Sequence, residues 1–459
     1  MAPRIAAQDI WYTPIGGEQP ILRGASLEIA PGECVAILGT SGCGKSTLCQ
    51  VLAGLIPSRL PGEFRGRVSV RPDDLRVGMV FQDPENQLFA GTVEEEVAFG
   101  PSNFGLMEAE VRARVSFAME AAEVTHLAEH EIATLSMGQK QRVALASMLS
   151  VQPDLLILDE PASNVDEPSA EAIFAAVGDL RASVGVSVVI VDHDVARARR
   201  VADRVLRLEE GRLRPLGEGE DLEQPLPKML PDGQPGRTLA ETESLGFGYE
   251  QGKRVLEGVN LALRLGEAVA VLGPNGCGKT TLAKHFIGLL RPTSGHVMLL
   301  GDDTARVPTE ILARHVGYAS QNPDDGLFAR SVREELAFGP RNLGWCEQEV
   351  QATIQRWLGI LGCAHLADRE PLTLSFGEKR RISLAAALAT DPEVAILDEP
   401  TAALDRMHNL AVAHAATELK HQGKAVLVLT HDRHFADAVC ERHFILQSGA
   451  LRSVRGVPC

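Results

Sequence analysis

The feature that most constrains this chain is that it contains the same domain twice. Lys45 and Lys279, Gln82 and Gln321, Ser136 and Ser375, Asp159 and Asp398, and His193 and His431 recur in the same order, at offsets of 234, 239, 239, 239 and 238 residues. An offset that holds through five motifs marks a duplicated domain, and the period is far longer than the roughly 20 to 50 residues of a solenoid repeat. A length of 459 residues suits two cores. The first copy is expected over 1–215 and the second over 238–459. Residues 216–237 between them are rich in Pro, Gly and charge without apolar periodicity, and read as a solvated linker.

Charge narrows the partners. A net charge of −16 works against docking on nucleic acid or on an anionic lipid surface. No apolar run approaches the roughly 18 to 20 residues that cross a bilayer, and MAPRIAAQDIWYTP lacks the apolar stretch of a signal peptide. The expectation is a chain on the cytoplasmic face of the cell membrane, without direct insertion, held there by protein partners. The eight cysteines form no CxxC pair and read as reduced thiols. Cys43 and Cys277 lie where a helix N-terminus favours a thiolate, although a small residue that fits the loop is the plainer reading.

Each copy carries a glycine-rich loop between a buried-strand run and a helical run. CVAIL leads into Gly39, Thr40, Ser41, Gly42, Cys43, Gly44, Lys45, Ser46 and Thr47; AVAVL leads into Gly273, Pro274, Asn275, Gly276, Cys277, Gly278, Lys279, Thr280 and Thr281. Glycines let backbone N–H groups curl around phosphates, and the helix N-terminus adds a favourable partial charge. Lys45 and Lys279 are expected to reach the outer phosphates of ATP, and Ser46 and Thr280 to offer hydroxyls to Mg²⁺. LLILDE and VAILDE are buried-strand runs ending in acid pairs. Asp159 and Asp398 can hold Mg²⁺, while Glu160 and Glu399 can polarise the attacking water as general bases. Two further strand-like runs deliver His193 and His431, placed to sense a γ-phosphate or orient the water.

LSMGQKQR (135–142) and LSFGEKRR (374–381) each place their serine 23 residues before the aspartate of the acid pair. On these signatures the chain resembles the ATP-binding cassette (ABC) family, over nearly all of both halves. The resemblance implies an α/β fold of two tandem ABC-type P-loop NTPase domains, each a RecA-like parallel-sheet core with an antiparallel β subdomain and a helical signature subdomain. It also implies a head-to-tail sandwich of two such domains; pairing with the halves of a second chain is open on the sequence, and the short path between the halves favours pairing within one chain. Ser375 and Gly377 would then face the ATP on Lys45, and Ser136 and Gly138 the ATP on Lys279. Asp166 and Asp405 match the loop that crosses this interface, and Tyr12 and Tyr249 the aromatic that meets adenine. Met137 and Phe376 depart from the usual second glycine of the signature, Glu378 from its glutamine, and SNVD (163–166) from the commoner SALD. None removes a principal catalytic group, so both sites are expected to hydrolyse ATP.

The segments FQDPENQLFAGTVEEEVAFGPSNFGL (81–106) and SQNPDDGLFARSVREELAFGPRNLGW (320–345) are similar to those of energy-coupling-factor importers, which take up vitamins and transition-metal ions. That resemblance implies that Gln82 and Gln321 sit near Mg²⁺ and at the joint with the helical subdomain, whose groove receives a transmembrane coupling subunit. A separate membrane subunit would bind the solute. Gln87 has Gly326 as its counterpart, a departure that reads equally as asymmetry between the two grooves or as neutral drift in one copy. Two other readings are a tandem ATPase of a sugar-type importer and a ribosome-associated tandem ABC protein. The intact second site argues against the first. The short acidic linker and the net charge argue against the second.

Overall fold

The computed structural model describes residues 5–17, 19–40, 42–70, 75–162, 165, 167–192, 194–217, 220, 226–229, 236–249, 254–402, 404 and 406–454. Ser41, Asp166, His193 and Asp405 lie outside the described residues. Two compact units meet in sequence at Gln224/Pro225.

The first unit opens with β1 (Ile5–Pro14) and β2 (Leu22–Ile29), followed by β3 (Cys34–Leu38) and α1 (Lys45–Leu52). Next come β4 (Gly62–Val70), β5 (Val77–Val80) and three helices, α2 (Val93–Asn103), α3 (Glu108–Ala121) and α4 (Met137–Ser150). Then β6 (Leu155–Asp159), α5 (Glu167–Val184), β7 (Ser187–Asp192) and α6 (Val195–Val201) lead to the hairpin β8 (Arg204–Glu209) and β9 (Arg212–Pro215). The strands form a six-stranded sheet in the order β5-β6-β7-β3-β8-β9, parallel except for β9, and an antiparallel sheet β2-β1-β4. Every residue of β3, β6 and β7 is buried, which is why these runs are apolar throughout instead of alternating: a parallel sheet is covered on both faces.

The second unit repeats the plan. It runs β10 (Thr238–Gly248), β11 (Arg254–Arg264), β12 (Ala268–Leu272), α7 (Lys279–Phe286), β13 (Ser294–Leu299), β14 (Asp302–Asp303), α8 (Thr309–Leu312) and β15 (Val316–Ala319). The helices α9 (Val332–Asn342), α10 (Glu347–Ile360) and α11 (Phe376–Leu388) follow. The unit ends with β16 (Val394–Asp398), α12 (Arg406–His421), β17 (Ala425–Thr430), α13 (Arg433–Val439), β18 (Arg442–Gln447) and β19 (Ala450–Val454). Its sheets are β15-β16-β17-β12-β18-β19 and β11-β10-β13-β14.

The segment read as a solvated linker is anchored at both ends, each to its own unit. Glu220 takes Arg207 at 2.8 Å and Arg214 at 2.9 Å, and those guanidiniums hold its carboxyl down at about 2. Leu226 and Met229 pack on the second core, and the Met229 N–H donates to Ala438 O at 2.7 Å.

A second duplicated device lies in the helical part. Glu96 and Glu335, 2% and 5% exposed, are buried carboxylates in otherwise exposed acidic runs. Glu96 Oε2 accepts the N–H groups of Phe89 and Ala90 at 2.9 and 2.8 Å; Glu335 Oε2 accepts those of Phe328 and Ala329 at the same distances. Each carboxylate folds its loop back onto the start of α2 or α9. Replacing Glu335 by leucine leaves two buried donors without their charged acceptor. The expected cost is about 3 kcal/mol, read as an earlier midpoint in denaturant unfolding of the second unit. An unchanged midpoint would rule out this role.

Candidate functional site

In both units the glycine-rich loop joins a central strand to a helix, and its last glycine, Gly44 or Gly278, adopts φ 105 or 109. A Cβ on either would press on the side chain beneath, at 2.9 Å from Ile21 and 3.0 Å from Val255, so the left-handed turn and the close approach both require glycine there. Lys45 Nζ turns back to donate to Gly39 O (2.8 Å) and Thr40 O (3.1 Å), and lies 3.2 Å from Glu160 Oε1. Lys279 does the same with Gly273 O (2.6 Å), Pro274 O (3.1 Å) and Glu399 Oε1 (3.0 Å). The structure therefore brings together the lysine and the glutamate that the sequence paired only by motif.

Asp159 and Asp398 end their strands in regular β conformation, whereas Glu160 and Glu399 bend away at φ 48 and 49. Thr280 Oγ1 donates to Asp398 Oδ2 at 2.7 Å, and Ser46 bonds Asp159 in the same way. The Oδ1 atoms of both aspartates are buried and find no hydrogen-bond partner among the described residues. A hydroxyl beside a carboxylate with a spare buried oxygen is a hard-oxygen donor set, which fits Mg²⁺. Burial raises Asp159 to about 6 against the Ser46 hydrogen bond, and burial raises Asp398 too.

The glutamates are held differently. Gln82 Nε2 donates to Glu160 Oε2 at 3.0 Å, while the side chain of Gln321 is exposed and makes no such bond among the described residues. Glu399 instead lies 2.9 Å from His431 Nδ1 and takes Thr430 Oγ1 at 3.1 Å. Burial would push Glu399 up, but His431 close beside it, with Lys279, brings it down to about 2. The same contact raises His431 against its own burial.

Several residues at this site were not legible as site residues. Arg380 is buried on α11 and donates to Glu399 O and Gln321 O, both at 2.6 Å, tying the signature helix to the acid pair and to the glutamine segment. Burial lowers it to about 10. Its counterpart Gln141 makes one weaker bond, to Phe81 O at 3.4 Å. Tyr318 also reaches the acid pair, its hydroxyl donating to Asp398 Oδ2 at 3.2 Å. Lysines next along the signature helices, Lys140 and Lys379, pair with Glu85 and Asp324 in the turn after the glutamine, the second pair at 2.8 Å.

The signature serines cap their helices. Ser136 Oγ accepts Gln139 N–H, and Ser375 Oγ accepts Glu378 N–H, each closing a reciprocal capping box. The box accepts glutamate or glutamine at its third position, which explains why Glu378 can replace the glutamine. Gly138 and Gly377 lie in the first turns of these helices.

Tyr12 is a correction. It is 5% exposed, inside the core with its hydroxyl on Pro61 O at 3.3 Å, and offers no free ring face. The ladders show why. Tyr12 pairs with Leu22, and Phe247 pairs with Leu256, the counterpart of Leu22, so Tyr12 corresponds to Phe247 and Pro14 to Tyr249. Tyr249 itself is 50% exposed, with its hydroxyl 3.3 Å from Thr281 Oγ1 beside the phosphate loop. Cys43 and Cys277 are not thiolates: burial raises both, outweighing Lys45 and Lys279. The seven described cysteines are free thiols.

Comparison with known proteins agrees with this layout. The family model described as ABC transporter matches residues 22–163 and 256–402. A putative ABC transporter ATP-binding protein of Methanosarcina acetivorans is 34% identical over 98% of this chain and 85% of its own length. The putative HMP/thiamine import ATP-binding protein YkoD of Bacillus subtilis is 32% identical over 95% of this chain and 88% of its own. Among solved structures, that of an archaeal ribosome recycling factor, aABCE1, in complex with the ribosomal stalk protein aP1 is 25% identical, with a TM-score of 0.65 over 97% of this chain and 90% of that one.

The raised Asp159 carboxyl carries a pH signature. It binds its proton more tightly folded than unfolded, so with a chelator present this group's contribution to stability should be lost as pH rises from 3.8 through about 6. The loss at this group is up to about 3 kcal/mol. Asp159→Asn cannot ionise, and thermal unfolding across that range in EDTA should show the slope reduced. Equal slopes would exclude Asp159 as its source.

Proposed function

Because the chain belongs to the ABC transporter family and is an ATPase coupled to transport, we propose that it energises import of a small solute, of the vitamin or transition-metal class, through separate membrane-spanning subunits. The first copy is 1–215, the second 238–459, and 216–237 joins them. In each, the glycine-rich loop and its lysine hold the phosphates of ATP, and Glu160 and Glu399 act as general bases on the attacking water. His431, bound to Glu399, fixes that carboxylate and keeps it ionised. His193 has the matching role in the first copy, and Gln82 closes on Glu160 from the helical side. Ser46 with Asp159, and Thr280 with Asp398, would hold Mg²⁺, which neutralises phosphate charge when bound. Ser136 and Gly138, and Ser375 and Gly377, at the starts of the signature helices, are further ATP-binding residues.

The observation that carries the transport reading is a duplicated exposed aromatic pair. Phe89 and Phe99 stack edge to face at 4.6 Å, and Phe328 and Phe338 at 4.8 Å. Phe89 and Phe328 are 64% and 60% exposed, on loops that begin a few residues after Gln82 and Gln321. Rigidly held aromatics in the open suit a partner surface. A transmembrane coupling subunit is that partner, a second membrane subunit binds the solute, and the chain works at the cytoplasmic face. Among the described residues no helix is long and apolar enough to cross a membrane. Similarity to a thiamine-type import ATPase supports the vitamin class. Similarity to a ribosome recycling factor favours a second reading, work on the ribosome, against which stand the net charge of −16 and the higher identity to transport ATPases.

ATP hydrolysis by the purified chain tests the catalytic assignment: Glu160→Gln with Glu399→Gln should lower the rate at least 100-fold, with ATP still bound. A double variant that hydrolyses normally would remove the general-base role. Phe89→Ser with Phe328→Ser should keep basal hydrolysis and leave the membrane fraction of fractionated cells. Retention there would rule out docking through these rings.

A further inference from the structure

We propose that Tyr318 is a positioning residue for the metal carboxylate of the second nucleotide site, a part the first site lacks. Its hydroxyl and that of Thr280 both donate to Asp398 Oδ2, at 3.2 and 2.7 Å. Two donors on one oxygen fix the plane of the carboxylate and leave Oδ1, buried and without a hydrogen-bond partner among the described residues, as the oxygen free for a cation. Tyr318 stands on β15 opposite Ile396 of β16. In the first unit the same rung pairs Met79 with Ile157, and a thioether has no proton to donate. Asp159 therefore has the Ser46 contact without an equivalent of the tyrosine.

The inference rests on Asp398 holding the divalent cation. Partners that orient a ligand carboxylate typically change metal affinity 10- to 100-fold, so the second site is the one pre-shaped for Mg²⁺.

The test uses the full chain carrying Asp159→Asn, so that metal dependence comes from the second site. Binding of trinitrophenyl-ATP is titrated in EDTA and in excess Mg²⁺, and the gain in affinity that Mg²⁺ confers is compared. Adding Tyr318→Phe should reduce that gain about tenfold while the affinity in EDTA stays the same. A gain unchanged by Tyr318→Phe but abolished by Asp398→Asn overturns the role of the tyrosine and leaves the metal site standing. A gain that survives Asp398→Asn overturns both. Equal loss in EDTA and in Mg²⁺ also overturns the proposal, because it marks Tyr318 as a general structural support.

Discussion

The geometry of each site depends on one backbone kink, the left-handed turn of Glu160 and Glu399 at the end of a buried strand. A glutamate in that region costs roughly 1–3 kcal/mol and persists only where its surroundings over-determine it. Here the kinked residue's N–H is bonded to the neighbouring strand, at Val191 O (3.0 Å) or Leu429 O (2.7 Å), and the strands themselves are buried along their full length. The kink breaks the alternation of side chains along the strand. Without it the glutamate would point to the opposite face from its aspartate. With it, both carboxylates serve one loop, one toward the lysine and one toward the hydroxyl of the first helical turn.

What could be read in the sequence was what is contiguous. The glycine-rich loops, the acid pairs and the signatures are each single runs whose chemistry is fixed by neighbours in the chain, and the repeat put them in order. The antiparallel sheet was harder because its registers shift. β1 and β10 both carry irregular pairing, and where the resemblance matched Tyr12 with Tyr249 the ladders match Tyr12 with Phe247. Arg380 is one of three consecutive basic residues in its sequence run. Its carbonyl partners lie up to 59 residues away, and no periodicity announces them. Glu96 and Glu335 sit among charged neighbours that are more exposed, and nothing local distinguishes the one that is buried against loop N–H groups.

The duplication has been kept at the level of the fold and relaxed at the level of contacts. Arg380 stands where the first copy has Gln141, Tyr318 where it has Met79, and Glu378 where it has Gln139. The first two change a hydrogen bond near the acid pair or the glutamine segment, the third keeps the capping box, and none alters the backbone that presents it. Two copies in one chain can diverge this way because neither has to serve both positions, unlike the identical halves of a homodimer.

The ion pairs from Lys140 to Glu85 and from Lys379 to Asp324 give the helical part of each unit a mechanical property. They brace the turn that leads to the exposed aromatics against the helix that begins at the signature serine. Packed and braced elements of this kind move as bodies, not as springs. A displacement imposed at Phe89 or Phe328 would meet the signature helix first through that one pair, at the helix's beginning.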